Sequence, residues 1–202
     1  MVTEITNPRT IGIFLFDVME ELDAVGPWEV FAWWAMHFPD DGYRVTTFST
    51  TGGSVTCEKG LVINAHHSFA SVPPLHVLLH PGGDDTITLL KDPDHLQWLR
   101  EQRTRVPLIT SVCTGATVLA AAGLLHDRPA TPNRSAFDQL VAIDPTIKPR
   151  QGDRFVDDGD VITSAGISAG LDMAVHIVRR LVSPERARQV SEGIEYTPFR
   201  PD

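Results

Sequence analysis

The stretch "PLITSVCTGATVLAAAGLL", residues 107–125, decides the fold. Its apolar run stops at Cys113-Thr114-Gly115 and restarts as an Ala- and Leu-rich segment closed by Gly123, which reads as strand, sharp turn and helix. A strand that passes into a helix through x-x-Cys-x-Gly has the logic of a nucleophile elbow. The turn is so tight that the nucleophile projects outward and its neighbours must be small. Gly115 meets that demand two residues after Cys113, and Ser111, two before, is small although not the usual glycine.

Working outward, the same alternation recurs. "TIGIFLF" (10–16) is a strand followed by an acidic turn and the helix-like "LDAVGPWEVFAWWAMHF" (22–38). "YRVTTFST" (43–50) and "HVLLHPGG" (76–83) are further strands, the latter ending at Pro81-Gly82-Gly83 ahead of the capped helix "DPDHLQWLREQ" (92–102). "VITSAGISAGLDMAVHIVRRLV" (161–182) is a last strand feeding a long helix. Short apolar strands alternating with helices require a mainly parallel sheet covered on both faces, so an α/β sandwich is expected. Sites in such sheets lie at the carboxyl ends of strands. Three stretches end strands there: 17–23, 81–83 and 111–115.

The 202 residues fit one domain, 1–202, with no repeat or linker to divide it. With 42% hydrophobic and 21% charged residues the composition is that of a globular chain. A formal charge of -9 without clustered Lys and Arg argues against a nucleic-acid partner and leaves a small-molecule substrate. No run approaches a membrane span, and "MVTEITNPRT" lacks a leader's apolar core, so a cytoplasmic location is expected, with Cys57 and Cys113 as free thiols.

Position gives Cys113 the amino end of a helix, where free N–H groups favour a thiolate. Bringing a thiol from about 8.5 to about 5.5 needs roughly 4 kcal/mol, and a helix end gives at most about 2. A second stabiliser is required. Of Asp17, Glu20, Glu21 and Asp23, only Asp23 sits among apolar neighbours, where burial would keep it protonated, able to hydrogen-bond the sulfur and deliver a proton. The plainer alternative makes Asp23 a helix N-cap. Gly82-Gly83 offers backbone N–H groups for an oxyanion-type hole, though glycine turns after strands are common.

The eight histidines show no metal-ligand spacing, so neither a metal nor a cofactor is expected. His66-His67 reads as surface, and His80 as either a site or a core residue. "FAWWAM" (31–36) reads as core or subunit contact.

Taken together, "IGIFLFDVMEELDAVGPWEVF", "LLHPGG", "VCTGATVLAAAGLL", "VITSAGISAGLDMAVHIVRRL" and "IEYTP" resemble the ThiJ/PfpI superfamily and, within it, the isonitrile hydratase branch. The resemblance implies a flavodoxin-like three-layer sandwich and a homodimer. By position it gives Cys113 as nucleophile, Asp23 as acidic partner, Thr114 as the residue after the nucleophile and Gly83 as backbone donor. The chain departs from the pattern at "ATPNRSAF" (130–137), where Asn133 stands at the place of a histidine. That departure weakens chemistry built on a Cys-His pair. A glutamine amidotransferase is also a poorer match, because its downstream His-x-Glu is missing. The implied activity is hydration of an isonitrile to an N-substituted formamide through a cysteine thioimidate. The alternative is a redox-responsive or ligand-sensing protein with an oxidisable Cys113. A regulator's sensor domain ranks last, because no helix-turn-helix segment is apparent up to Asp202.

Overall fold

The computed structural model describes residues 8–199; residues 1–7, part of the stretch read for a leader, lie outside the described residues. In chain order the elements are β1 (Arg9–Phe14), α1 (Glu21–His37), β2 (Tyr43–Ser49), β3 (Ser54–Thr56), β4 (Val62–Asn64), β5 (His67–Ser68), β6 (Leu75–His80), α2 (Thr86–Leu89) and α3 (Pro93–Arg103). They continue with β7 (Leu108–Val112), α4 (Gly115–Ala121), β8 (Pro129–Ala130), α5 (Phe137–Ile143), β9 (Lys148–Pro149), β10 (Phe155–Asp157), β11 (Val161–Ser164), α6 (Ala169–Leu181) and α7 (Pro184–Gly193).

Seven strands form the central sheet in the order β10-β11-β7-β6-β1-β2-β5. Each neighbouring pair is parallel except β10 with β11, an antiparallel edge pair. From β1 the chain steps one way to β2, while β6, β7 and β11 step the other way. Right-handed crossovers therefore send α1 and α3 to opposite faces. α6 and α7 pack with α1, and α4 packs with α3 and α5, which gives the expected three layers.

The strand order reverses at β1, so the crevice at the carboxyl ends of β1 and β6 is the switch point at which such sheets bind ligands. Phe14, Ile11, Ile13, Val77, Leu79 and Ile109 are buried and fill the centre of the sheet. Strands buried on both faces read as continuous apolar runs for this reason. Asp92 caps α3 as its sequence indicates, accepting from Asp94 N and His95 N. Within "FAWWAM", Phe31 and Trp34 are core while Met36 is exposed. Among the described residues no helix is long and apolar enough to cross a membrane.

Candidate active site

Cys113 follows β7 directly and takes φ +60°, a left-handed conformation costing a non-glycine residue about 1–3 kcal/mol. Flanking bonds hold it there. Its N–H donates to Ser164 O at 3.1 Å, and its carbonyl accepts from Asn133 N at 3.1 Å. The side chain is 5% exposed, and Sγ accepts from Asn133 Nδ2 at 3.1 Å.

Asp23 reaches the same place from α1. The N-cap is Glu20 and the helix starts at Glu21, so Asp23 lies in the first turn and is not the cap. Four residues on, Pro27 has no N–H to return to the Asp23 carbonyl, so the first turn lacks one helical bond. Asp23 is fully buried. Oδ2 accepts from Gly82 N at 2.9 Å, and Oδ1 has no partner among the described residues. Burial pushes its carboxyl up to about 8, the nearby Glu20 charge adds to the rise, and the Gly82 amide and the Cys113 thiol offset part of it.

The thiol does not follow the expectation of a lowered pKa. Burial, and then the charge that Asp23 would carry, push Cys113 up to about 12 against the opposing bonds from Asn133 and Thr114. Desolvation outweighs whatever the seven-residue α4 offers at its start. Burial favours the protonated form of both groups, a thiol beside a carboxylic acid.

The glycine turn is built for contact. A Cβ on Gly82 would lie 2.6 Å from Thr114 N and 2.8 Å from Cys113 Cβ, and Gly83 takes φ +145°, so both positions need glycine. Thr114 Oγ1 accepts from Gly83 N at 2.9 Å and donates to Gly83 O at 3.2 Å. Both glycine amides are thus engaged, Gly82 with Asp23 and Gly83 with Thr114. The Thr114 backbone and hydroxyl both act to hold the Cys113 thiol down. Gly83 can serve as an oxyanion donor only if the Thr114 hydroxyl releases it.

His80 lies beneath the site in the core. Its Nδ1 donates to Pro81 O at 2.7 Å, which leaves Nε2 to accept from His95 Nε2 at 3.0 Å. Burial holds both rings below the usual histidine range, at about 3 and about 4. His66 is exposed, as its surface reading expects, bonded through Nδ1 to Thr47 and tilted against Trp28. Cys57 is a second free, buried thiol, and no group of three or more potential metal ligands occurs among the described residues.

Sequence reasoning missed three contributors. Gly166 packs behind the sulfur, where a Cβ would lie 2.4 Å from Asn133 Nδ2 and 3.0 Å from Cys113 Sγ. Ser164 holds the elbow, and Glu20, 7% exposed and paired with Lys59, sets the field around Asp23. The available signal was that "TSAG" (163–166) closes β11, a fourth strand end beside the elbow. Outside Asn133 and Gly166, a cleft of about 330 Å³ bordered by Thr131, Arg134, Arg154 and Ile167 leads to solvent.

Known proteins share this arrangement of elements. The chain is 34% identical to an isonitrile hydratase of Pseudomonas putida over 95% of its own length and 80% of the relative's. It is 32% identical to the HTH-type transcriptional regulator CdhR of Pseudomonas aeruginosa over 92% of its length, spanning about half (54%) of that regulator. A crystal structure of a ThiJ/PfpI family protein from Pseudomonas syringae superposes with a TM-score of 0.84 at 31% identity, covering 97% of this chain and 78% of that one. The DJ-1/PfpI family model matches residues 9–180, a span that runs from β1 into α6 and takes in Asp23, Gly82, Gly83, Cys113 and Thr114; the chain belongs to the DJ-1/PfpI family.

Proposed function

We propose that the protein is an isonitrile hydratase-like lyase that adds water to an isonitrile and releases an N-substituted formamide. The observation that carries this reading is a buried thiol beside a buried, protonated carboxyl at the switch point, with an amide and not an imidazole on the sulfur. An isonitrile ends in a slender, weakly polar carbon that suits a nearly closed site. Its addition chemistry asks for one nucleophile and one proton relay, not for a strong base.

In the first step the Asp23 carboxyl gives its proton to the terminal carbon as the Cys113 sulfur bonds to it. The S–H proton then passes to the carboxylate just formed. One C–S and one C–H bond form, and the carbon–nitrogen triple bond becomes the double bond of a thioimidate. Water next adds across that double bond, its oxygen to carbon and, by way of Asp23, a proton to nitrogen. Finally the C–S bond breaks, sulfur recovers its proton and the formamide leaves. Asp23 begins and ends every step protonated, which is the state its burial favours. Thr114 favours the anionic form of the sulfur, and its hydroxyl joins Gly83 to the elbow.

The sensing alternative draws support from the likeness to CdhR. Burial pushes the Cys113 thiol up, however, which disfavours the thiolate that oxidation needs. We take a homodimer as part of the reading, because Val25 and Leu61 are exposed and border one apolar cleft of about 300 Å³ with Trp28 and Ile63, a face suited to a second copy. Sedimentation would settle that; a monomer at micromolar concentration would remove it. The deciding experiment follows aryl and alkyl isonitrile consumption and formamide release with wild type, Cys113→Ala and Asp23→Asn. No turnover by folded wild type would sink the hydratase reading.

A further inference from the structure

Asn133 occupies the place at which the family resemblance implies a histidine, and its amide is fixed at both ends. Oδ1 accepts from Ser135 N at 2.9 Å and from Ser135 Oγ at 3.0 Å, while Nδ2 donates to Cys113 Sγ at 3.1 Å. Two donors on one end assign the amide orientation, so the NH2 group faces sulfur. The backbone is tied as well, with Asn133 N donating to Cys113 O and Asn133 O accepting from Ala136 N at 2.9 Å. Gly166 lets the amide and the sulfur sit together, since a Cβ there would lie 2.4 Å from Nδ2 and 3.0 Å from Sγ.

We propose that Asn133 is a positioning residue that presents an uncharged, non-titrating donor to the Cys113 sulfur, so that the thiol's proton chemistry across the neutral range runs through Asp23 alone. A histidine there would donate too, but it would carry its own proton equilibrium and take the thiol's proton. The other charged groups around the pair belong to its rim. Glu20 and Lys59 face Asp23 from the start of α1 and from the β3–β4 turn, Arg134 and Arg154 border the cleft, and His80 is locked below to Pro81 and His95. The inference rests on Cys113 as the reacting atom and not on an isonitrile as substrate.

The test is therefore independent of turnover. The rate of iodoacetamide alkylation at Cys113, read by peptide mass, is measured from pH 5 to 10. Wild type, Asn133→Ala, Ser135→Ala and Asn133→His are compared, with thermal melting as the check on folding. Wild type should show one inflection. Asn133→Ala should alkylate about 10-fold or more slowly at every pH with that shape unchanged, as expected for losing a donor to an anion. Ser135→Ala, which removes one of the two donors to Oδ1 and leaves the backbone N–H in place, should lose less in the same direction. Asn133→His should add a second inflection near the ordinary histidine range, about 6.5. Wild-type rates in folded Asn133→Ala and Ser135→Ala, or two inflections in wild type, would overturn the proposal. Should Asn133→Ala fail to fold, Ser135→Ala and Asn133→His still decide it.

Discussion

Two buried aspartates can be set side by side. Asp172, on α6, is 4% exposed and fully served: Oδ2 accepts from Arg154 Nε at 2.7 Å, and Oδ1 accepts from Tyr196 Oη at 2.9 Å and Phe199 N at 2.8 Å. Asp23 is 0% exposed, with one backbone donor on one oxygen and none on the other. Among the described residues no cation lies against it as Arg154 lies against Asp172; Lys59 acts from beyond Glu20, as a weak opposing charge. Burial with all lone pairs met fastens the tail to α6 and stays silent. Burial with a lone pair left open keeps a proton ready, and such groups belong to chemistry.

The sharpest way to break this contrast is Cys113→Ala, which should reduce isonitrile turnover by roughly 10⁴-fold or more while leaving the melting temperature near wild type. A variant that retains turnover would divorce the open acid from the thiol. Asp23→Asn should lower turnover by about 10²–10³-fold and should also change stability in a pH-dependent direction. The folded carboxyl titrates at about 8 and the unfolded one near 3.9. Between those values the folded chain holds a proton that the unfolded chain has lost, so wild-type stability falls as pH rises through this window and levels off above it. The melting temperature of Asp23→Asn relative to wild type should therefore be higher at pH 9 than at pH 5. Wild-type turnover should decline above about 8.

Asp172→Ala should behave in the opposite way. It strands Arg154 and costs about 3–5 kcal/mol of stability, seen in denaturant midpoints, while the folded fraction keeps its turnover. A kcat loss as deep as that of Asp23→Asn would erase the distinction between the two carboxyls. The mildest probe is Lys59→Met. Lys59 opposes the rise at Asp23, so its removal should move the alkaline limb of kcat/KM upward by less than about one pH unit.

Much of this was legible beforehand because strand ends announce themselves. Cys113, Asp23, Gly82, Gly83 and Thr114 each sit where an apolar run breaks, and the topology brings those breaks together. What escaped is pairing over distance. The β3–β4 hairpin that places Lys59 against Glu20, and the meeting of Gly166 with Asn133 and Cys113, carry no local period. The acidity of the thiol was misjudged for a related reason. A helix start is visible in ten residues, whereas the burial that overrides it is a property of the packed whole.

The loops around the elbow are also stitched to one another. Met19 and Gly83 form an isolated antiparallel bridge, Glu20 N donates to Gly82 O at 2.9 Å, and the Gly82 and Gly83 amides close onto Asp23 and Thr114. Catalytic loops are commonly drawn from the parts of a protein that open most readily. Here the amides of Glu20, Gly82 and Gly83 should exchange with deuterium as slowly as those of the neighbouring strands, so that the turn keeps its shape around the thiol without any of these three bonds having to break.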